Sequence, residues 1–327
     1  MSLVTKSEFG KVYLIGAGPG NPNLLTKQAE RLIRQADVIL YDRLVNPLIL
    51  QYAKPTTEII DVGKKPYTKH IQQEDINLKI VAAAKKYKVV VRLKGGDPAV
   101  FGRVTEEIDI LKEHQIAYDI VPGVTSASAA VASLDLGLTM RSVAPSVTFS
   151  TGHFKDDIDQ DMDIRNLANG GTLAIYMGIK RLNDIINQIR RYTKEDYDIA
   201  IIFNATCYNE TIVVGKLSTI EHQLSKLNMK HDPGICILGH IINYMDDEKI
   251  IHSKQTIDET LYVIKGNKDL ALSKAEDLSQ QYLKCLIQYD ETYHSSQKYL
   301  YESIITQHQN IKSVSYTHLT LPTIYSV

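Results

Sequence analysis

The apolar run Val89-Val90-Val91 leads directly into Arg92-Leu-Lys-Gly-Gly-Asp-Pro-Ala-Val-Phe-Gly-Arg103. A short β-branched run predicts a buried strand, and Gly95-Gly96-Asp97-Pro98 ends it abruptly. Open α/β sheets bind their ligands where strands end in this way. The glycines let a ligand approach bare backbone, Asp97 offers a carboxylate, and Arg92, Lys94 and Arg103 add positive charge. The stretch therefore predicts a ligand site, although Gly-Gly-Asp-Pro alone is also typical of a surface turn.

A succession of strand, loop and helix recurs on both sides of this stretch. Val12-Tyr-Leu-Ile15 runs into Gly16-Ala-Gly-Pro-Gly20, and a helical pattern follows; further strands are expected at 38–41, 59–62 and 118–121. This alternation predicts an α/β fold whose first sheet is mainly parallel, with helices on both faces. After about residue 146 strands become more frequent and helices fewer, which predicts a second α/β domain with a mixed sheet.

Three segments follow from these patterns. We predict an N-terminal α/β domain at 10–122 and a C-terminal α/β domain at 123–243. Residues 244–327 are interpreted as a poorly patterned, partly helical appendix, because glycine nearly vanishes there and polar residues accumulate. Residues 313–327 fit neither a helical nor a strand period, and we hold the hypothesis that they are a non-native tail.

The overall charge and the cysteines limit the classes of function. A formal net charge of −1 over 327 residues provides no global field to recruit nucleic acid or an acidic membrane. Cys207, Cys236 and Cys285 fit no metal-ligand spacing, which favours buried thiols in a reducing compartment. The chain has no secretory h-region and no uncharged apolar stretch of about 18 residues. We therefore predict a cytoplasmic protein that binds neither nucleic acid nor membranes.

The glycine loop Gly16-Ala-Gly-Pro-Gly20 raises the alternative of a dinucleotide site, with Asp42 on the ribose hydroxyls. Two features argue against it. Asn21 stands where the fingerprint needs a third glycine or alanine, and Pro19 removes a backbone N–H that would face a pyrophosphate. The loop favours an adenosine-type ligand without phosphates, and by itself it also fits a tight strand-to-helix turn.

Several short blocks occur together in one order. They are Val12-Tyr-Leu-Ile-Gly-Ala-Gly-Pro-Gly20, Tyr41-Asp-Arg-Leu-Val45, Val62-Gly-Lys64, Arg92-Leu-Lys-Gly-Gly-Asp-Pro98, Phe101-Gly-Arg103, Val121-Pro-Gly-Val-Thr-Ser126, Ser146-Val-Thr148, Thr151-Gly-His153 and Tyr176-Met-Gly178. In this order, over about residues 10–242, the chain resembles the tetrapyrrole methylases. The second and third blocks narrow the resemblance to the uroporphyrinogen-III C-methyltransferases within that family.

The resemblance implies transfer of two methyl groups from S-adenosyl-L-methionine to C2 and C7 of uroporphyrinogen III. This reaction belongs to the biosynthesis of sirohaem and cobalamin. It implies a homodimer with the cofactor in a cleft between two domains, and no metal. Asp42 matches the family's proton acceptor and Lys64 its proton donor. The residues of this chain that match the family's cofactor-binding positions are Pro19, Gly95, Gly96, Asp97, Val100, Thr125, Ser126, Met177 and Ala205.

The implied substrate carries eight carboxylates and so needs several cationic partners. We predict Arg43, Arg103, Arg141 and His153, and we consider Lys64, Arg92 and Lys155 as well; each of these also fits a solvated surface charge. The chain departs from the family pattern where Val104 and Thr105 replace two glycines and Phe203 replaces a common glutamate. Alternative functions are a related corrinoid-precursor methyltransferase and a non-catalytic S-adenosylmethionine-binding sensor.

Overall fold

The structure is a computed structural model that describes residues 9–63, 72–152, 162–227, 229, 232–246, 257–289 and 291–316. Its strands form two five-stranded sheets and one three-stranded sheet. The first sheet is parallel and the second is mixed, so the predicted fold class is confirmed. Within the described ranges, no helix is both long and apolar enough to cross a membrane.

The first sheet has the strand order β3-β2-β4-β1-β5, and every neighbouring pair is parallel. Its strands are β1 Lys11–Gly16, β2 Val38–Tyr41, β3 Glu58–Asp61, β4 Val89–Lys94 and β5 Tyr118–Val121. The helices of this part are α1 Lys27–Gln35, α2 Pro47–Leu50, α3 Gln73–Lys86 and α4 Val104–Glu113. Parallel strands end at one edge of a sheet, so the loops after β1 and β4 are neighbours there.

Apolar clusters on both faces explain why β-branched runs form this sheet. Val91 of β4 packs in a cluster with Ile15 and Ile39, whereas Val90 packs in a second cluster with Val12 and Leu40. Successive side chains of a strand point to opposite faces, so a continuous apolar run fits a strand that is covered on both sides.

The second sheet has the order β6-β7-β10-β8-β9, with β6 and β7 parallel and the other neighbours antiparallel. Its strands are β6 Val147–Thr151, β7 Thr172–Tyr176, β8 Asp198–Phe203, β9 Thr211–Lys216 and β10 Gly234–Leu238. The associated helices are α5 Ser126–Ser133, α6 Arg165–Ala168, α7 Leu182–Tyr192 and α8 Ile220–Ser225; short 3-10 turns span Pro22–Leu24, Ile179–Arg181 and His240–Tyr244. Helix α5 packs Ala127 and Ala130 beside Ala174 and Ala200 of the sheet, where small side chains allow close approach.

Residues 257–316, which we call the C-terminal unit, contain more structure than the sequence indicates. Beside helices α9 Lys268–Gln280 and α10 Ser295–Gln307, they form the strands β11 Leu261–Gly266, β12 Lys284–Gln288 and β13 Ile311–Tyr316. The strand order is β12-β11-β13, and both pairs are parallel. The helices agree with the partly helical interpretation, but the strands were not predicted. The limits of all three predicted segments, and a non-native origin of 313–327, stay predictions.

The C-terminal unit is ordered by docking on the first sheet's helices. Ile264, Leu272 and Ile287 share one apolar cluster with Ile33 and Leu48. At the same interface the buried side chain of Gln51 donates to the Ile287 carbonyl at 2.8 Å and accepts from its N–H at 2.7 Å. Long-range burial of this kind is invisible to a window of sequence, which explains why the segment looked poorly patterned.

The three cysteines provide a test of this packing. Cys236 and Cys285 are buried and Cys207 is partly buried. Burial raises the pKa of the Cys207 thiol to about 11 and that of Cys236 and Cys285 to about 12. Only the thiolate is nucleophilic, so at pH 8 we expect iodoacetamide to modify the native chain at least about 100-fold more slowly than the urea-unfolded chain. Peptide mass spectrometry measures this; one cysteine that reacts at the unfolded rate would contradict the packing.

Candidate functional site

Glycines bring the loops after β1, β4 and β5 into backbone contact. A methyl group on Gly16 would lie 2.5 Å from the carbonyl oxygen of Gly96 and 2.7 Å from Cα of Gly123. A methyl group on Gly123 would lie 2.3 Å from the same oxygen. A side chain at either position would push the loops apart. The packing of the protein itself therefore requires glycine at these two positions.

Hydrogen bonds lock the same loops together. Gly18 and Gly96 form an antiparallel bridge, in which the Gly96 N–H donates at 2.7 Å and the Gly18 N–H at 3.2 Å. The Asp97 carboxylate accepts from the N–H of Ala99 at 2.7 Å and from that of Gly123 at 3.2 Å. Asp97, a predicted cofactor residue, thus also ties the loop after β4 to the loop after β5.

Gly96 itself faces open space. A methyl group there would meet no atom within 4 Å, and its φ of +68° lies in the left-handed region that favours glycine. Pro19, also predicted to bind the cofactor, is partly exposed and follows Gly18 of the bridge. A glycine turn with free backbone at the carboxyl edge of a parallel sheet fits the approach of an adenosine-type ligand.

Aromatic contacts connect this edge to the second sheet. Tyr176 ends β7, and its hydroxyl lies 2.7 Å from Thr125 Oγ1, at the start of α5. Its ring centroid lies 4.9 Å from that of Phe101 in the loop after β4 and 5.7 Å from that of Phe149. Val100 packs against the same apolar cluster as Tyr176. Two predicted cofactor residues, Val100 and Thr125, therefore lie beside one aromatic group that joins the sheets.

The loop after β8 reaches the glycine loop from the second sheet. Asn204 and Thr206 have φ values of 49° and 67°, and Ala205 between them is buried. The N–H of Asn21 donates to Thr206 Oγ1 at 3.2 Å, so this loop is bonded to the end of the glycine loop. The predicted cofactor residue Ala205 thus lies next to a residue that is bonded to the chain just after Pro19.

Met177 follows Tyr176 directly. It has a φ of 56° and is 53% exposed as a residue. Non-glycine residues in this conformation are uncommon and concentrate at functional sites. Ser126, another predicted cofactor residue, is the first residue of α5. The roles of Met177 and Ser126 in cofactor binding stay predictions.

Asp42 lies at the end of β2 and is held by a buried ion network. Its Oδ1 accepts from Nη2 of Arg92 at 2.6 Å, and Arg92 Nε donates to Glu107 Oε1 at 3.0 Å. Lys94 Nζ donates to the same Glu107 oxygen at 2.7 Å. The side chains of Glu107, Arg92 and Lys94 are 0%, 2% and 5% exposed, whereas that of Asp42 is 31% exposed. The buried network thus holds the carboxylate of Asp42 in place while leaving it accessible to solvent.

This network corrects the interpretation of Arg92 and Lys94 as cations that face a ligand. Both side chains point to the same face of β4, where α4 covers them with Glu107. Burial lowers the pKa of Lys94, because desolvation penalises the ammonium form. Their charge is neutralised within the protein, so the substrate carboxylates need other partners.

The remaining predicted substrate residues are less tightly grouped. Arg43 is exposed, and its backbone N would lie 2.7 Å from a methyl group on Gly63, so the loops after β2 and β3 touch. Arg103 is half exposed and forms a bidentate pair with Glu106 at 2.6 and 2.7 Å. Arg141 is exposed in the turn closed by the Met140–Ala144 bridge, with no described contact to the loops above. Lys64 and His153 lie outside the described residues.

Sequence reasoning missed Glu107 and Tyr176. Glu107 shares the buried face of α4 with Leu111, one turn later. A charged residue at a core position of a helix is an available signal, because it requires a buried partner. Tyr176 was noted only as part of a block, and nothing local indicates that its ring contacts Phe101. Among the described residues, no group of three or more potential ligands is arranged to hold a metal ion.

Comparisons with known proteins identify the family. Residues 11–221 match the family of tetrapyrrole (corrin/porphyrin) methylases. A uroporphyrinogen-III C-methyltransferase of Priestia megaterium is 45% identical over 237 residues, which cover 72% of this chain and 99% of that one. One of Methanocaldococcus jannaschii is 40% identical over 242 residues, or 73% and 99% of the two chains. The crystal structure of uroporphyrin-III C-methyltransferase from Thermus thermophilus, complexed with S-adenosylhomocysteine, is similar at a TM-score of 0.62 and 35% identity, covering 72% and 100%.

Proposed function

The chain belongs to the tetrapyrrole methylase family, and from that premise we propose that it transfers methyl groups from S-adenosyl-L-methionine to C2 and C7 of uroporphyrinogen III. The product is precorrin-2, formed by way of precorrin-1, in the biosynthesis of sirohaem and cobalamin. One observation carries the proposal. The Gly96 turn, which faces open space, and Asp42 follow two neighbouring strands, β4 and β2.

The cofactor supplies a methyl group on an electrophilic sulfonium, and an electron-rich pyrrole carbon attacks it directly. The protein's main contribution is then alignment of donor and acceptor, which requires a rigid site. The bonded loops at Gly18, Gly96 and Gly123 provide that rigidity from the first sheet. We assign the opposite wall of the site to Thr125, Met177 and Ala205, from the second part of the chain.

Methylation leaves positive charge on the substrate ring, which a carboxylate relieves by accepting a proton. We assign this role to Asp42, since Arg92 fixes its carboxylate while leaving it accessible. Lys64 follows Gly63, whose loop touches Arg43, and we assign it proton donation or the binding of a substrate carboxylate. Arg43, Arg103, Arg141 and His153 are the proposed partners of the other carboxylates. The homodimer and a cytoplasmic location are also proposals, which rest on the sequence resemblance.

The test is anaerobic incubation of the chain with uroporphyrinogen III and methyl-labelled S-adenosylmethionine. We expect two labelled methyl groups per tetrapyrrole, detected by mass spectrometry of the product. If the chain binds S-adenosylhomocysteine but transfers no label to uroporphyrinogen III, the substrate assignment is wrong. Transfer to a later corrinoid precursor would then identify the related methyltransferase.

Gly96→Ala tests the cofactor site separately from the chemistry. A methyl group would enter the open space beside the turn, and the φ of +68° adds strain of about 1 kcal/mol. We expect S-adenosylhomocysteine to bind at least about tenfold more weakly in calorimetry, a difference of 1.4 kcal/mol or more. Gly170→Ala is the matched control, because Gly170 also has a positive φ, +85°, and lies in the loop before β7. Equal affinity of the Gly96 variant and the parent would exclude this turn from the site.

A further inference from the structure

The C-terminal unit contacts both walls of the proposed cofactor site. On the first wall, Asn23 in the turn after the glycine loop donates through Nδ2 to the carbonyl of Glu276 in α9 at 3.0 Å. The carboxylate of Glu276 accepts a hydrogen bond from Tyr52, which lies after α2. On the second wall, Lys284 Nζ of β12 donates to the hydroxyl of Tyr208 at 3.2 Å. One unit thus bridges two loops that belong to different sheets.

The Lys284 ammonium is held by two side chains, those of Tyr208 and His308. Its ammonium lies 4.7 Å from the centroid of the Tyr208 ring, in addition to the bond with the hydroxyl. It also lies 2.6 Å from Nε2 of His308, at the end of α10. The Nδ1 of His308 lies 2.7 Å from the Ile304 carbonyl oxygen. Because a carbonyl can only accept and an ammonium can only donate, Nδ1 donates to Ile304 and Nε2 accepts from Lys284. The lysine is therefore a fixed contact and not a freely rotating surface charge.

Tyr208 transmits this contact to the cofactor loop because residues 204–210 form one bonded loop. The Cys207 N–H donates to the Asn204 carbonyl at 2.9 Å, and the Thr206 N–H donates to the Glu210 carboxylate at 2.6 Å. Glu210 also accepts from Ser133 of α5 at 2.7 Å. Tyr208 lies between Cys207 and Glu210, two of the bonded residues, so a shift of its backbone is passed to the loop that carries Ala205.

We propose that Lys284 is a positioning residue for the cofactor, acting through Tyr208 on the loop that carries Ala205. The inference rests on the proposed function, since it names a determinant of the same cofactor site. The match to the methylase family ends at residue 221, so Lys284 lies outside it whereas Tyr208 lies within it. The C-terminal unit is thus a part of this chain that tunes a site built by the family-matched part.

A double-mutant cycle with S-adenosylhomocysteine tests this coupling in the full chain. We expect Lys284→Met and Tyr208→Leu each to raise the dissociation constant about fivefold, from the loss of a hydrogen bond and a cation–π contact. The double variant should match the single variants, whereas independent effects would multiply to about 25-fold. Lys284→Arg should restore affinity. Lys265→Met on the neighbouring strand β11, an exposed lysine, is the control and should bind like the parent.

Two further readouts separate positioning from a general loss of stability. At saturating S-adenosylmethionine the turnover rate of Lys284→Met should equal that of the parent, while the KM for S-adenosylmethionine rises. Parent-like affinity of Lys284→Met, or multiplicative effects in the cycle, would overturn the inference and leave the proposed function intact. A parent chain that binds no S-adenosylhomocysteine would overturn both.

Discussion

Asp42→Asn is expected to lower the rate of methyl transfer to uroporphyrinogen III by about 100-fold or more, the usual range for loss of a general base. Asparagine has the same shape and still accepts the hydrogen bond from Arg92, but it cannot take up the proton that methylation releases. Affinity for S-adenosylhomocysteine should stay within a factor of two of the parent, because Asp42 lies outside the predicted cofactor residues. Single-turnover transfer of labelled methyl groups measures the rate, and calorimetry measures the affinity.

The control for this variant is Asp109→Asn, which removes an exposed carboxylate from α4. It matches the change in net charge and should transfer methyl groups at the parental rate. Thermal unfolding of both variants shows whether the loss of the Arg92 ion pair alters the fold. An Asp42→Asn enzyme that keeps a tenth or more of the parental rate would remove Asp42 from the proposed role.

Glu107→Gln is expected to destabilise the chain by about 3–5 kcal/mol, the typical cost of breaking a buried ion pair by removing one partner. Glu107 Oε1 is shared by Arg92 and Lys94, and all three side chains are at least 95% buried. Without the carboxylate two buried cations keep only Asp42 as a charged partner, and water cannot replace the lost interaction. Urea unfolding followed by circular dichroism measures the change as a lower midpoint at an unchanged m-value.

The neighbouring residue provides the matched control. Glu106→Gln makes the same chemical change one position earlier on α4, where the partner Arg103 and the glutamate are both about half exposed. Exposed pairs contribute about 0–1 kcal/mol, so this variant should unfold close to the parent. Equal destabilisation by the two substitutions would mean that burial of the network does not determine its contribution.

The sequence was informative wherever structure depends on neighbouring residues. Val89-Val90-Val91 and the glycines that follow predict a buried strand and a turn, and β4 ends at Lys94 as expected. The alternation of strands and helices predicts a parallel sheet, and a parallel sheet places the loops after β1 and β4 at one edge. Family membership was also readable, because Pro19, Asp42 and Gly96 occur in blocks with fixed order. The roles of these residues in catalysis and binding stay predictions.

The direction of charged side chains could not be read in the same way. Arg92 and Lys94 look like ligand-facing cations in the sequence, whereas the structure turns both towards Glu107 on a helix that covers β4. Their partner is 13 to 15 residues away, and only the packing of α4 on the sheet brings it within hydrogen-bond distance. An isolated charge in a strand pattern is ambiguous, because a buried pair and an exposed cation have the same local sequence.

Local periodicity and motifs of adjacent residues are enough to establish the α/β class, the positions of the glycine turns and the family. The tertiary structure alone decided that Asp42 rests on a buried ion network and that residues 257–316 form a parallel sheet. It also decided that Lys284 touches Tyr208, 76 residues earlier in the chain. These features arise from contacts between distant segments, whose free energy comes from burial that exists only after the chain has folded.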